Sequence, residues 1–209
     1  MVQATTLVSG LGMGESARWH GGEFYFADWT AGTISALDAA GNVRRVAGVP
    51  SFPITFDWLP DGRMAVVSGS DGAVLVEVPH AGLVPMASLR ALSPHPWNEI
   101  AVHPTGNIYV NGIGQDYAGE PQENGLIALI RPDGTARQVA GNLAFPNGMV
   151  ISADGRSLVV AESNAGRLTS FEILPDGTLA PSQPWAAVQG SAPDGISWDG
   201  SGGIWFAEV

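Results

Sequence analysis

The sequence predicts an all-β fold of the propeller type, and three observations predict it. Val, Ile, Phe, Trp and Tyr gather in short runs between Gly and Pro, the composition of strands bounded by turns. Those breakers, 28 Gly and 15 Pro in 209 residues, interrupt nearly every stretch in which an i, i+3, i+4, i+7 apolar face would build a helix. One pattern then recurs at a period of about 45 residues: a polar or small residue, an apolar strand, a glycine turn and a second strand.

Five copies follow in order. The first is GESARWHGGEFYFAD (14–28), the second ITFDWLPDGRMAVVS (54–68) and the third NEIAVHPTGNIYVNG (98–112). The fourth is NGMVISADGRSLVVAE (147–162) and the fifth DGISWDGSGGIWFAE (194–208). Their turn glycines, Gly22, Gly62, Gly106, Gly155 and Gly202, are 40, 44, 49 and 47 residues apart. Outer hairpins fill the gaps, as in 125–141 and 166–179, where Asp133-Gly134 and Asp176-Gly177 are strong hairpin turns. Each blade thus has two inner and two outer strands. The fifth copy reaches Val209 after its second strand, so residues 1–209 form one propeller domain of about four and a half blades. Because a propeller closes on itself to hide its sheet edges, the remaining strands are expected from a further C-terminal segment or from a second chain.

Charge narrows the partners. Nine basic against twenty acidic residues give a net charge of −11 with no Lys/Arg cluster, which removes the electrostatic attraction that supplies most nucleic-acid affinity. The absence of Cys excludes a disulfide framework, a thiolate metal site and a cysteine nucleophile. Residues 1–14 lack a basic leader region, and no run of about 18 apolar residues occurs. A cytoplasmic protein with no membrane partner is the expectation.

In a propeller the first strand of each blade lines the central channel. Counting back nine to eleven positions from the first apolar residue of each second strand picks out Glu15, Ile54, Asn98, Asn147 and Asp194. Two carboxylates and two amide oxygens with no basic residue among them suit a hard cation such as Ca²⁺, Mg²⁺ or Mn²⁺. Asn147-Gly148 and Asp194-Gly195 look like the plain turns at Asp61-Gly62 and Asp133-Gly134. Each lies at the far end of its inner strand from that strand's own turn glycine, however, which favours the ligand reading. Asp28, Glu162 and Glu208 end the second strands on the same face, as supporting groups or as solvated strand ends. Trp29, Trp97, Tyr117 and Phe145 fall in connections at that mouth, where they wall an apolar pocket or pack between blades.

Other chemistries fail. His20, His80, His95 and His103 lack metalloprotease spacing, and there is neither a G-x-S-x-G elbow nor a Walker lysine motif. Gly10, Gly12 and Gly14 are followed by Glu15 where a dinucleotide fingerprint has its last glycine, so this stretch reads as a flexible lead into the first blade.

In order and spacing, GESARW (14–19), WNEIAV (97–102), FPNGM (145–149), AES (161–163) and APDGI (192–196) resemble the senescence-marker-protein/gluconolactonase family. These are six-bladed propellers, also called luciferin-regenerating-enzyme-like. The resemblance implies one divalent metal held by Glu15, Asn147 and Asp194 with Asn98 close by, the ring already obtained from the repeats. Ca²⁺ is the first expectation; Zn²⁺, Mn²⁺, Mg²⁺ and Fe²⁺ suit the same ligands. It also implies lactone hydrolysis, in which the metal polarises the carbonyl, Asp194 is the general base and Asn98 steadies the oxyanion or orients the substrate. Trp97, Asp116 and Tyr117 join Asn98 as expected substrate contacts. The pattern departs at Pro96, where sugar-lactone members often carry an Arg, and this points to a more apolar lactone or another ester. Two further readings use the same fold: a non-catalytic propeller that binds a metal or a protein, and a condensing enzyme of the strictosidine-synthase kind.

Overall fold

The chain folds as a row of antiparallel sheets, each a meander of consecutive strands, seen here in a computed structural model that describes residues 5–116 and 124–208. The first sheet is β1 (Gly14–His20), β2 (Glu23–Asp28), β3 (Thr33–Leu37) and β4 (Val43–Gly48). The second is β5 (Ile54–Trp58), β6 (Met64–Ser68), β7 (Ala73–Val78) and β8 (Gly82–Ser88). The third is β9 (Trp97–Val102), β10 (Ile108–Gly112), β11 (Gly125–Ile130) and β12 (Ala136–Leu143). The fourth is β13 (Pro146–Ile151), β14 (Ser157–Glu162), β15 (Arg167–Glu172) and β16 (Gln183–Ala187), and β17 (Pro193–Trp198) with β18 (Ile204–Glu208) makes a two-stranded fifth. Among the described residues the only helical turn is the 3₁₀ turn Ser163–Ala165. These are the four blades and the half blade that the repeats predict.

First strands neighbour one another around the channel: β1 lies against β5, β5 against β9, β9 against β13 and β13 against β17. Between successive sheets lies the core. Tyr25, Ala27 and Ile34 of the first sheet meet Ile54, Phe56 and Val66 of the second. Val67, Val74 and Leu89 of the second meet Trp97, Ile100 and Val110 of the third, and Tyr109, Ile127 and Leu129 meet Met149, Leu158 and Val160 of the fourth. Aromatic residues tie the sheets with their polar ends as well. The Tyr109 hydroxyl donates to the Gly177 carbonyl at 2.8 Å, and the Trp198 indole N–H donates to the Ile151 carbonyl at 2.8 Å.

The strand registers make positions in different blades comparable. Trp58 pairs with Met64, Val102 with Ile108, Ile151 with Leu158 and Trp198 with Ile204, and each of these pairs packs on the sheet before it. The corresponding pair in the first sheet is Trp19 with Phe24, and Trp19 is 70% exposed. On β18, Trp205 occupies the place of the buried Tyr25, Ala65, Tyr109 and Val159, and it is 72% exposed. The outward faces of the first and fifth sheets therefore carry aromatic residues that elsewhere in the ring sit between two sheets.

Two expectations change in detail. The stretch through Gly14 is not a loose lead: the Gly12 and Met13 N–H groups donate to the Asp28 carboxylate, and β1 begins at Gly14 itself. The outer hairpin over 166–179 turns at Asp176-Gly177, but only Ile173 and Leu179 bridge there. The partner strand β16 starts at Gln183, beyond Pro181, whose missing N–H suits the break.

Candidate functional site

Four of the five ring residues sit at backbone irregularities. In β9, β13 and β17 one extra residue is inserted, so that Asn98 and Glu99, Asn147 and Gly148, and Asp194 and Gly195 each span the place of a single residue on the partner strand. In β1 the insertion falls between Glu15 and Arg18, with Ser16 in the left-handed region at φ 52°. Ile54, the apolar member, lies in β5, whose ladder is unbroken. A bulge interrupts the alternation of side chains and re-aims them, so residues that a regular strand would send to opposite faces share one side. Its position is fixed by neighbours: the Ser16 hydroxyl and the Trp29 indole both donate to the Ile54 carbonyl, at 3.1 and 2.6 Å.

Glu15, Asn98, Asn147 and Asp194 all line one cavity of about 640 Å³ at the channel, together with Arg18, Trp29, Thr55 and Glu99. The cavity also runs out along the buried Phe26 and along Phe24 and Trp205, on the outward sheet faces described above. Asn98 is buried and its amide donates to the Asn147 side-chain oxygen at 3.3 Å. The Asn147 amide bonds the Ser163 hydroxyl at 3.3 Å and the Asp194 carboxylate, while the Asn111 side chain grips the Asn147 carbonyl at 2.6 Å. Gly148 permits this closeness: a Cβ there would stand 2.5 Å from the Asp194 carbonyl oxygen and 2.6 Å from the Ile196 nitrogen.

Electrostatics divide the carboxylates. Burial, then the charges of Asp194 and Glu99, push Glu15 up to about 7. Burial and the charge of Glu99 raise Asp194, partly countered by its bond to Asn147. Neither has a cationic partner among the described residues. Glu99, in contrast, is tied to Arg18 at 2.9 Å, to the Ile100 N–H at 2.8 Å and to the Thr55 hydroxyl. No three Asp, Glu or His side chains gather into a metal cluster among the described residues. What the structure offers is two carboxylates without a cationic partner among the described residues and two amides, a hard-oxygen donor set that fits a divalent cation.

Other expected site residues lie elsewhere. Trp97 is corrected from substrate contact to core: it is fully buried between the second and third sheets, packed on Gly112 and outside the cavity lining. Asp116 is exposed and faces His95 at 3.4 Å, also outside the lining. Tyr117 lies outside the described residues. Asp28 and Glu162 are buried and already committed, Asp28 to four N–H groups and Thr30, which hold it well below the usual range. Glu162 is engaged by Arg167, Thr169 and the Ala144 N–H. Trp29 does line the cavity. Residue patterns missed Arg18, Thr55 and Glu99, since alternation along a regular strand separates Glu99 from Asn98; only the bulge brings them together.

The family profile for the SMP-30/Gluconolactonase/LRE-like region matches residues 13–209. No curated protein sequence matches the chain significantly. Among solved structures it is similar to a calcium-binding protein, regucalcin, from Agrobacterium tumefaciens, with a TM-score of 0.80 at 18% identity over 97% of this chain and 70% of that one. A gluconolactonase from Xanthomonas campestris gives 0.82 at 20% identity over 97% and 72%. Virginiamycin B lyase from Staphylococcus aureus gives 0.70 at 15% identity over 94% and 63%. Identities this low establish the fold, and the lyase shows that the fold alone does not fix the reaction. Among the described residues no helix is long and apolar enough to cross a membrane.

Proposed function

From the premise that this chain belongs to the SMP-30/Gluconolactonase/LRE-like family, we propose that it hydrolyses a lactone at the mouth of the channel, with Glu15, Asn147 and Asp194 holding a divalent metal ion. The observation that carries the reading is the meeting of Glu15, Asn98, Asn147 and Asp194, residues spread over 180 positions, at one cavity through four separate bulges. A divalent cation bound there supplies Lewis-acid polarisation of an ester carbonyl. Ca²⁺ suits the oxygen donors best, and Mn²⁺, Mg²⁺, Zn²⁺ or Fe²⁺ would accept the same set.

The chain's own groups do the rest. Asp194 takes the proton of the attacking water and returns it to the ring oxygen that leaves when the ester bond breaks. Asn98, fixed against Asn147, presents an amide donor toward the oxygen on which charge develops. Trp29 closes one side of the cavity against water. Asp194→Asn is expected to lower lactone turnover by about 10²- to 10⁴-fold with an unchanged far-ultraviolet circular dichroism spectrum. A panel of sugar and alkyl lactones assayed with each of Ca²⁺, Mn²⁺, Zn²⁺ and Fe²⁺ tests the activity itself. If none is opened under any ion, the reading is wrong and a non-catalytic binding role takes its place.

A further inference from the structure

The cavity contains one basic side chain among its described lining residues, and its partner is the third carboxylate of the site. Arg18 Nη2 donates to Glu99 Oε1 at 2.9 Å, and Arg18 Nη1 is held by the Ala17 carbonyl at 3.1 Å. The Ile100 N–H and the Thr55 hydroxyl converge on the same Glu99 oxygen. The guanidinium is also within electrostatic reach of Asp57, whose carboxylate is anchored by the Val102 and Trp58 N–H groups at 2.8 Å each. Glu99 is close enough to raise the proton affinity of both Glu15 and Asp194. Left without a counter-charge, it would be a third acid at the cage.

We propose that Arg18 is a built-in counter-cation that holds Glu99 against the channel wall, so that the cage presents two carboxylates instead of three. This rests on the cation reading above and deepens it. Three lining carboxylates and one guanidinium leave two negative charges, the complement of a single divalent ion. The bulge in β1 makes the arrangement available, since it turns Glu15 and Arg18, three positions apart, toward the same cavity. Arg18 is thus a positioning residue: it acts on the ion through Glu99, and its charge sets which ions the cage prefers.

The test titrates Ca²⁺ and Tb³⁺ separately into the 209-residue chain, with binding followed by calorimetry and by terbium emission sensitised from Trp29. The parent chain binds one ion. In Arg18→Gln, Glu99 is released, the cage carries one more negative charge, and the preference for Tb³⁺ over Ca²⁺ rises by about ten-fold, as one unit charge at such separations requires. Arg18→Lys retains the parent preference, and Arg18→Gln combined with Glu99→Gln restores it. Glu99→Gln alone, which leaves Arg18 uncompensated, weakens Ca²⁺ binding by about a hundred-fold, since the lost charge acted on both charges of the ion; this arm stands even where Arg18→Gln fails to fold. An unchanged ion preference in Arg18→Gln, a raised preference that persists in the double variant, or unchanged Ca²⁺ binding in Glu99→Gln overturns the proposal. A parent chain that takes up neither ion removes the cation reading instead, and the proposal falls with it.

Discussion

Glu15 shows how a single side chain can be placed at odds with its own charge. Burial and two acidic neighbours lift it from 4.5 to about 7, so it is harder to ionise in the folded chain than in the unfolded one. At pH values below 4.5 it is protonated in both states and its burial is harmless; above about 7 it is ionised in both, and the folded state bears the whole penalty. With a chelator present, the stability contributed by this group therefore declines as pH rises from 4.5 through about 7. Glu15→Gln is expected to raise the Tm at pH 8 and to leave it unchanged near pH 4, which paired thermal melts will measure; equal melting at pH 8 would contradict it. Glu15, Asn98, Asn147 and Asp194 were legible in the sequence because each occupies the same slot in its repeat. Trp97 packs between blades although its neighbours in sequence are site residues, because the glycines that border its ring, at 72 and 112, are distant along the chain. Arg18 and Glu99 were invisible because an inserted residue leaves no mark in a pattern of alternating polarity.

At the level of strands, β13 and β17 approach so closely that their backbones touch at Gly148. Gly148→Ala places a Cβ 2.5 Å from the Asp194 carbonyl oxygen, and is expected to force the two strands apart and to weaken cation binding, measured by titration, while the sheets themselves persist. The contact between the first and second sheets is a different kind of join, made by apolar filling. Phe56 is fully buried there, with Tyr25 and Trp58 in edge-on contact at 6.5 and 5.6 Å between ring centroids. Phe56→Ala should cost about 3–5 kcal/mol in denaturant unfolding. Strand pairs were easy to read wherever an Asp-Gly turn closes a hairpin directly, as at Asp133-Gly134. After Asp176-Gly177 the returning chain bridges once and re-forms a strand only at Gln183, and no turn motif signals that delay.

Over the whole molecule, the period of the turn glycines carried the architecture, because each repeat can bury its apolar face only against a neighbour. The same logic identifies the two sheet faces that lack one in the described structure. Trp19 and Trp205 stand exposed where their counterparts in the other blades are buried or partly buried. These two faces also flank the cage, since Glu15 comes from the first sheet and Asp194 from the fifth. The cage behaves like the jaws of a caliper: anything that alters the separation of those sheets alters the gap between the two acids, and ion affinity becomes a gauge of how the sheets are spaced.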